Sequence, residues 1–201
     1  MGRVAPTGGA RDPLEHAEMD ETPSPPQRSP QPPLRLAVII GSTRKGRFGP
    51  TIADWFTAVA RSRPDLETEV IDLAETRPSA TEVLDRADAF VVVTPEYNHS
   101  FPGGLKDFID AHLAQWAAKP VAFVSYGGMS GGLRAVEHLR QVFAELHATT
   151  VRNVVSVHNP WTTFDAGCPD RRAAAHQMLD QLGWWARALR DARAARPYAE
   201  V

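Results

Sequence analysis

The sequence predicts an α/β fold, a five-stranded parallel sheet with helices on both faces. Three observations carry this reading. Apolar runs at about 34–40, 66–73, 89–93, 120–124 and 149–157 have the length and β-branched content of buried strands. The segments between them place apolar residues at helical spacing, and strands that alternate with helices wind into a parallel sheet through right-handed crossovers. The three loops densest in glycine, proline and polar residues follow the first, third and fourth strands. In the order 2-1-3-4-5 those strands are neighbours, so the loops meet at the carboxyl edge of the sheet.

Each element has its own signal. Leu34–Ile40 is a continuous apolar run that breaks at Gly41. A helix is expected from about Pro50 to residue 62, with proline in its first turn and Ile52, Trp55, Phe56 and Val59 on one face. Leu66–Leu73 alternates partly, 74–80 is a loop, and 81–86 is a short helical turn. Ala89–Val93 is the most apolar strand. A long loop, 94–104, leads to a helix at about 103–116 with Leu105, Phe108, Ile109 and Leu113 inward. Pro120–Val124 is the fourth strand, 125–132 a glycine-dense loop, 131–146 a helix and 149–157 the fifth strand. A Pro, Gly and aromatic stretch at 158–169 precedes a last helix at about 170–191, with Met178, Leu182, Trp185 and Leu189 inward. The architecture is that of a flavodoxin-like three-layer sandwich, with ligands expected beyond the carboxyl ends of strands one and three.

Composition narrows the function class. The chain has 201 residues and a formal charge of −2, without the basic excess usual in nucleic-acid binding. Its single cysteine, Cys168, forms no internal disulfide and fits a reducing compartment, so a cytoplasmic protein is expected. No apolar run approaches the ~18 residues of a membrane span. Residues 1–33 hold eight of the 17 prolines and no Phe, Trp, Tyr or Ile, and lack the apolar core of a signal peptide. They read as a disordered Pro-rich tail. One domain at 34–192 and a C-terminal tail at 193–201 complete the chain.

The loops carry the chemistry. In the first, Gly41-Ser42-Thr43-Arg44-Lys45-Gly46-Arg47-Phe48-Gly49, a helix N-terminus lies beside hydroxyls and three cations, a setting for an anion such as phosphate. It is not a Walker A loop: Arg47 and Phe48 stand where Lys and Ser/Thr are required. No G-x-G-x-x-G follows the strand either. Taken alone, this loop also reads as an ordinary turn with surface arginines. In the second loop, Tyr97 flanked by Glu96 and Asn98 suits a flat heterocycle: apolar area for the ring, polar atoms for its edge. In the third, glycines let backbone amides approach a ligand. That loop also contains Gly128-Met129-Ser130-Gly131-Gly132, which matches the nucleophile elbow of a serine hydrolase, with Asp165 and His176 downstream in the required order. The hydrolase reading leaves the basic first loop unexplained. The seven histidines show no metal spacing. His112, His138 and His147 read as surface or partner-facing residues, and Trp116, Trp161, Trp184 and Trp185 as core or subunit-interface aromatics.

Together, GSTRKGRFG at 41–49, PEYNHSFPGGLKDFID at 95–110 and SYGGMSGGLRAVEHLR at 125–140 resemble the NADPH-dependent FMN reductase family. The resemblance spans about 34–160 and implies bound FMN, NADPH or NADH as co-substrate, and a homodimer or homotetramer. By matching position, Ser42, Thr43, Arg44 and Arg47 are implied to bind the FMN phosphate, with Phe48 and Gly49 beside them. Pro95, Glu96, Tyr97 and Asn98 are implied to line the isoalloxazine. Ser125, Tyr126, Gly127 and Gly128 are implied to lie against the other part of the ring system. Many members have Ser in place of Arg47 and Asn in place of Gly49. The implied reaction passes hydride from NAD(P)H to the flavin and then electrons to a small acceptor: a free flavin, a quinone, an azo dye or a metal oxyanion. The flavin supplies the chemistry, so no catalytic acid–base side chain is implied. A flavodoxin-type electron carrier is the alternative in the same fold, but such carriers are usually strongly acidic and this chain is nearly neutral.

Overall fold

The computed structural model describes residues 1–2, 32–75 and 80–198. The expected tail at 1–33 therefore lies almost wholly outside the described residues. The elements run β1 (Leu34–Ile40), α1 (Gly49–Arg61), β2 (Leu66–Asp72), α2 (Ala80–Arg86), β3 (Ala89–Pro95), α3 (Gly103–Asp110), β4 (Pro120–Gly127), α4 (Leu133–Glu145), β5 (Thr149–His158), α5 (Pro160–Thr163) and α6 (Pro169–Ala195). The sheet order is β2-β1-β3-β4-β5 and every pair is parallel, as expected.

Side-chain alternation along the strands divides the core in two. Leu36, Val38 and Ile40 of β1 face a layer that includes Ile52 and Phe56 of α1 and Met178 and Leu182 of α6. Ala37 and Ile39 face the other layer, with Leu105 and Ile109 of α3 and Leu139 and Phe143 of α4. The central strands β3 and β4 are buried along their whole length, which is why they read as unbroken apolar runs. The edge strand β2 keeps Glu67 exposed and reads as a weaker alternation.

The helices depart from expectation in three places, one being the short α5 within the stretch read as irregular at 158–169. α3 ends at Asp110, not near 116, and Leu113 is 59% exposed. Trp116 takes the inward place: its indole N–H donates to the carbonyl of Ile109 at 3.0 Å and its ring is fully buried against Phe90 and Phe143. Burying one indole and satisfying a helix-end carbonyl outweighs another turn of helix. α6 continues to Ala195, and there Trp185 turns out to solvent, edge-to-face with the exposed Trp184. Gly183 and Ala186 take the inward positions, with Gly183 lying close to Leu34 of β1. Among the described residues no helix is long and apolar enough to cross a membrane.

Candidate active site

The loops after β1, β3 and β4 meet at the carboxyl edge of the sheet. The amide of Gly41 donates to the carbonyl of Val93 (2.9 Å), and that of Glu96 to the carbonyl of Tyr126 (3.0 Å). Ser42 is fully buried and shares a 2.6 Å hydrogen bond with the hydroxyl of Tyr97, tying the first loop to the second. Residues 43–46 are exposed. α1 then begins at Gly49 with Pro50 in its first turn, no capping side chain and no acidic residue. Its first amides and the positive end of its dipole are thus left for an anion. The Arg44 guanidinium lies 3.5 Å above the Tyr97 ring. Arg47 is paired with Asp72 at the end of β2, while its Nε is buried without a partner.

In the second loop, Tyr97 and Ser100 exchange backbone hydrogen bonds of 2.8 and 3.0 Å around Asn98 and His99, both at positive φ, the geometry of a tight hairpin turn. Glu96 is held from the third loop and α4. The Ser130 hydroxyl, the Arg134 amide (3.2 Å) and the Arg134 guanidinium (2.8 Å) all donate to its carboxylate. Burial pushes this carboxyl up, but the hydrogen bonds from Ser130 and Arg134 together outweigh it and hold it below its ordinary value. Tyr126 is buried, and burial, then Tyr97, pushes its phenol well above the usual tyrosine value, so it stays protonated.

The third loop is the most tightly fastened. The hydroxyls of Ser125 and Ser156 donate to the Gly131 carbonyl at 2.8 and 3.0 Å. The ring Nδ1 of His158 donates to the Met129 carbonyl at 3.0 Å. Gly132 sits at φ +87, and a Cβ there would lie 2.7 Å from Ser125 Cβ. The β5 residues Ser156 and His158 thus brace this loop from the neighbouring strand.

A cleft of about 190 Å³ opens between the loops. Of the expected residues, Arg44, Arg47, Phe48, Pro95, Glu96, Tyr97, Tyr126 and Gly127 line it. Ser42, Gly49 and Ser125 are buried, Thr43 and Asn98 are exposed, and Gly128 is half-buried beside Asn159. Lys45, Gly46 and Trp161 also line the cleft. Lys45 carries a signal in its charge. Trp161, on α5, reads from sequence as a core or interface aromatic; at 61% exposed it is not a core residue. A larger cavity of about 590 Å³ lies at the opposite edge, between the start of β5 and the end of α6, far in the topology from these loops. The hydrolase elbow is not assembled. Ser130 donates to Glu96, and among the described residues no hydrogen bond joins it to a histidine; the Asp165 carboxylate accepts from the Gly167 amide instead.

A model of the NADPH-dependent FMN reductase family matches residues 34–162. The chain belongs to that family. It is an oxidoreductase of the FMN-reductase class, with FMN as cofactor and NAD(P)H as electron donor. It is 32% identical over 120 residues to an NAD(P)H-dependent FMN reductase of Schizosaccharomyces pombe, covering 49% of this chain and 60% of that protein. It is 35% identical over 135 residues to the quinone reductase of Escherichia coli strain K12, covering 57% and 72%. Among solved structures, the apo form of an NADH:FMN oxidoreductase (EMOB) superposes with a TM-score of 0.63 at 20% identity, over 77% of this chain and 89% of that one. A flavodoxin of Streptococcus pneumonia TIGR4 does so with a TM-score of 0.56 at 19% identity, over 75% and 98%. Both share the flavodoxin-like fold.

The residues present suit FMN. The uncapped α1, the exposed Arg44 and Lys45 and the orphaned Nε of Arg47 form a donor set for a phosphate. Phe48 and Tyr97 offer flat apolar surface for a ring system, with the buried Tyr126 behind them.

Proposed function

We propose that this reductase passes electrons from NAD(P)H, through FMN at the carboxyl edge of the sheet, to a small acceptor such as a free flavin, a quinone, an azo compound or a metal oxyanion. With a quinone the balance is NAD(P)H + H⁺ + quinone → NAD(P)⁺ + hydroquinone. FMN, when bound, supplies the chemistry by taking hydride from NAD(P)H and giving two electrons to the acceptor. The protein's part is to hold and to exclude. Arg44, Lys45 and the first amides of α1 grip the phosphate, and Arg47, steadied by Asp72, adds its free Nε. Pro95, Tyr97 and Tyr126 wall the ring system, and the amides of Gly127 and Gly128 meet its polar edge. Glu96 stays ionised and Tyr126 stays protonated, so neither trades a proton near neutral pH, and the acceptor draws its protons from water. The resemblance supports a homodimer or homotetramer, and the single Cys168 a reducing compartment such as the cytoplasm, which light scattering and fractionation would test.

The observation that carries this reading is the meeting of an uncapped helix start, a basic loop and an aromatic loop in one cleft. The purified protein should be yellow, with the absorption of FMN, and NADPH added without oxygen should bleach it. Flavin that binds but resists NADPH would make the protein a carrier. A colourless protein that also fails to take up added FMN would remove the cofactor from this site.

A further inference from the structure

We infer that Trp161 is the platform for the electron acceptor, and that this acceptor is a flat aromatic compound. The inference rests on the electron-transfer reading and narrows its acceptor.

A single exposed aromatic is ordinary on a protein surface. Trp161 differs in how it is seated. Just before it, Asn159 takes a left-handed conformation (φ +45) and its amide donates to the Gly127 carbonyl at 2.7 Å, which fastens the start of α5 to the third loop. Pro160 is buried. Just after it, the Thr163 hydroxyl donates to the His158 carbonyl at 2.6 Å. Phe164 packs edge-to-face on Phe48 of the first loop (5.8 Å) and on Trp55 of α1 (6.0 Å). The segment is therefore pinned to two of the three cleft loops, with the tryptophan between the pins. A bulky apolar ring held exposed at a cleft by so many contacts is placed there for a ligand's surface.

The surroundings select the ligand's shape. Trp161 shares the cleft with Phe48, Tyr97 and Tyr126, all flat rings. Both hydroxyls of α5 are already engaged: that of Thr162 donates to the Asn159 carbonyl (3.2 Å) and that of Thr163 to the His158 carbonyl. Neither is offered to an oxyanion, so α5 provides stacking area and no charge. The acceptor stacks on Trp161 and is reduced by two electrons that originate in NAD(P)H, with its protons from water. The tryptophan forms no bond and exchanges no electron.

The test compares menadione, a flat aromatic quinone, with ferricyanide, a compact inorganic ion, on the FMN-loaded protein. Trp161→Ala should lower the menadione-to-ferricyanide ratio of kcat/KM by roughly three- to tenfold, the worth of one aromatic contact, chiefly through the menadione KM. Trp161→Phe should restore most of the ratio. An unchanged ratio in Trp161→Ala would overturn the inference, as would slower anaerobic bleaching by NADPH with an unchanged menadione KM, which would seat the nicotinamide there. A wild type that binds no FMN would sink the electron-transfer reading and this inference with it. A yellow, NADPH-bleached wild type whose ratio ignores Trp161 sinks the inference alone.

Discussion

The two ends of the sheet hold the same kinds of residue and use them in opposite ways. At the carboxyl end, Arg44 and Lys45 stand exposed beside an uncapped helix start. At the amino end, Lys119 donates to the carbonyls of Leu84 and Asp85 at the end of α2 (2.8 and 3.0 Å). Arg193 likewise donates to the Ala118 carbonyl and pairs with Asp88. A parallel α/β sheet gathers helix N-termini at one end and helix C-termini at the other. The first leaves unpaired donors, the second unpaired acceptors. Cations at the amino end are therefore consumed by the chain's own carbonyls. At the carboxyl end Arg47 and Arg134 already hold Asp72 and Glu96, but Arg44 and Lys45 share the sign of the helix termini and call for an anion from outside.

The largest effect is expected within the carboxyl end, where the third loop is braced and the first is open. Gly132→Ala puts a Cβ into the left-handed region, where it meets Ser125 and Tyr126 at 2.7 Å. Gly46 is also at positive φ (+71), but a Cβ there meets nothing within 4 Å. Gly132→Ala should cost about 2–5 kcal/mol, conformational strain plus overpacking. Gly46→Ala should cost only the strain, about 1–2 kcal/mol. Urea unfolding with excess FMN measures both, and equal losses would erase the distinction between braced and open loops.

The amino end can be broken with pH. Burial, then Arg193, pushes the Lys119 ammonium down to about 8. Above that pH the folded protein has released the proton, while the unfolded chain keeps it until about 10.4. The unfolded state then binds more protons, so stability rises with pH, by at most about 1.4 kcal/mol per unit. Tyr126, whose folded value is raised, acts in the opposite direction only above about pH 10, where the unfolded tyrosine ionises first. Between pH 8 and 10 the rise belongs to Lys119, and Lys119→Met should flatten it. An unchanged slope in that variant would show that the lysine is not the buried cation the comparison needs.

Much of this organisation is legible in the sequence, and what is not has a physical cause. Central strands bury both faces and read as apolar runs, so β1, β3 and β4, and with them the meeting of three loops, follow directly. Helix ends are harder. Leu113 keeps the helical period, and nothing local announces that the Trp116 indole will cap Ile109 instead. Long-range pairings are equally silent: Arg47 looks like a free phosphate ligand until Asp72, 25 residues on, is seen beside it. Trp161 is only half legible for the same reason: of its two readings, core or subunit interface, its 61% exposure removes the core. An aromatic between Pro and Thr suits a core as well as a surface, and the long-range anchoring of Asn159 and Phe164 that holds it at the surface has no local signal.

The third expectation concerns the open loop. A charge-assisted contact to phosphate is worth about 1.5–3 kcal/mol. Arg44→Ala should therefore weaken FMN by roughly ten- to a hundredfold. Riboflavin, which lacks the phosphate, should be little affected, and fluorescence titration of the flavin-free protein with each ligand makes the comparison. Equal losses would mean that Arg44, stacked on Tyr97, shapes the aromatic wall and not the phosphate seat.

The smallest effect is expected at Ser130, where the sequence offers a nucleophile and the structure a brace. Its hydroxyl is spent on the Glu96 carboxylate, which also accepts from the amide and guanidinium of Arg134. A serine whose proton goes to an ionised carboxylate with no histidine partner has neither the base nor the relay that acyl transfer needs. Ser130→Ala leaves the two Arg134 contacts in place, so the carboxylate stays solvated by donors and stability should fall by only about 1 kcal/mol. NADPH bleaching should continue at nearly the wild-type rate, and a fluorophosphonate probe should leave the wild type unlabelled. The third loop would then be a braced wall whose serine faces inward, in contrast to the first loop, whose donors face the ligand. Stoichiometric labelling of Ser130 would reverse that assignment and restore the elbow as a working site.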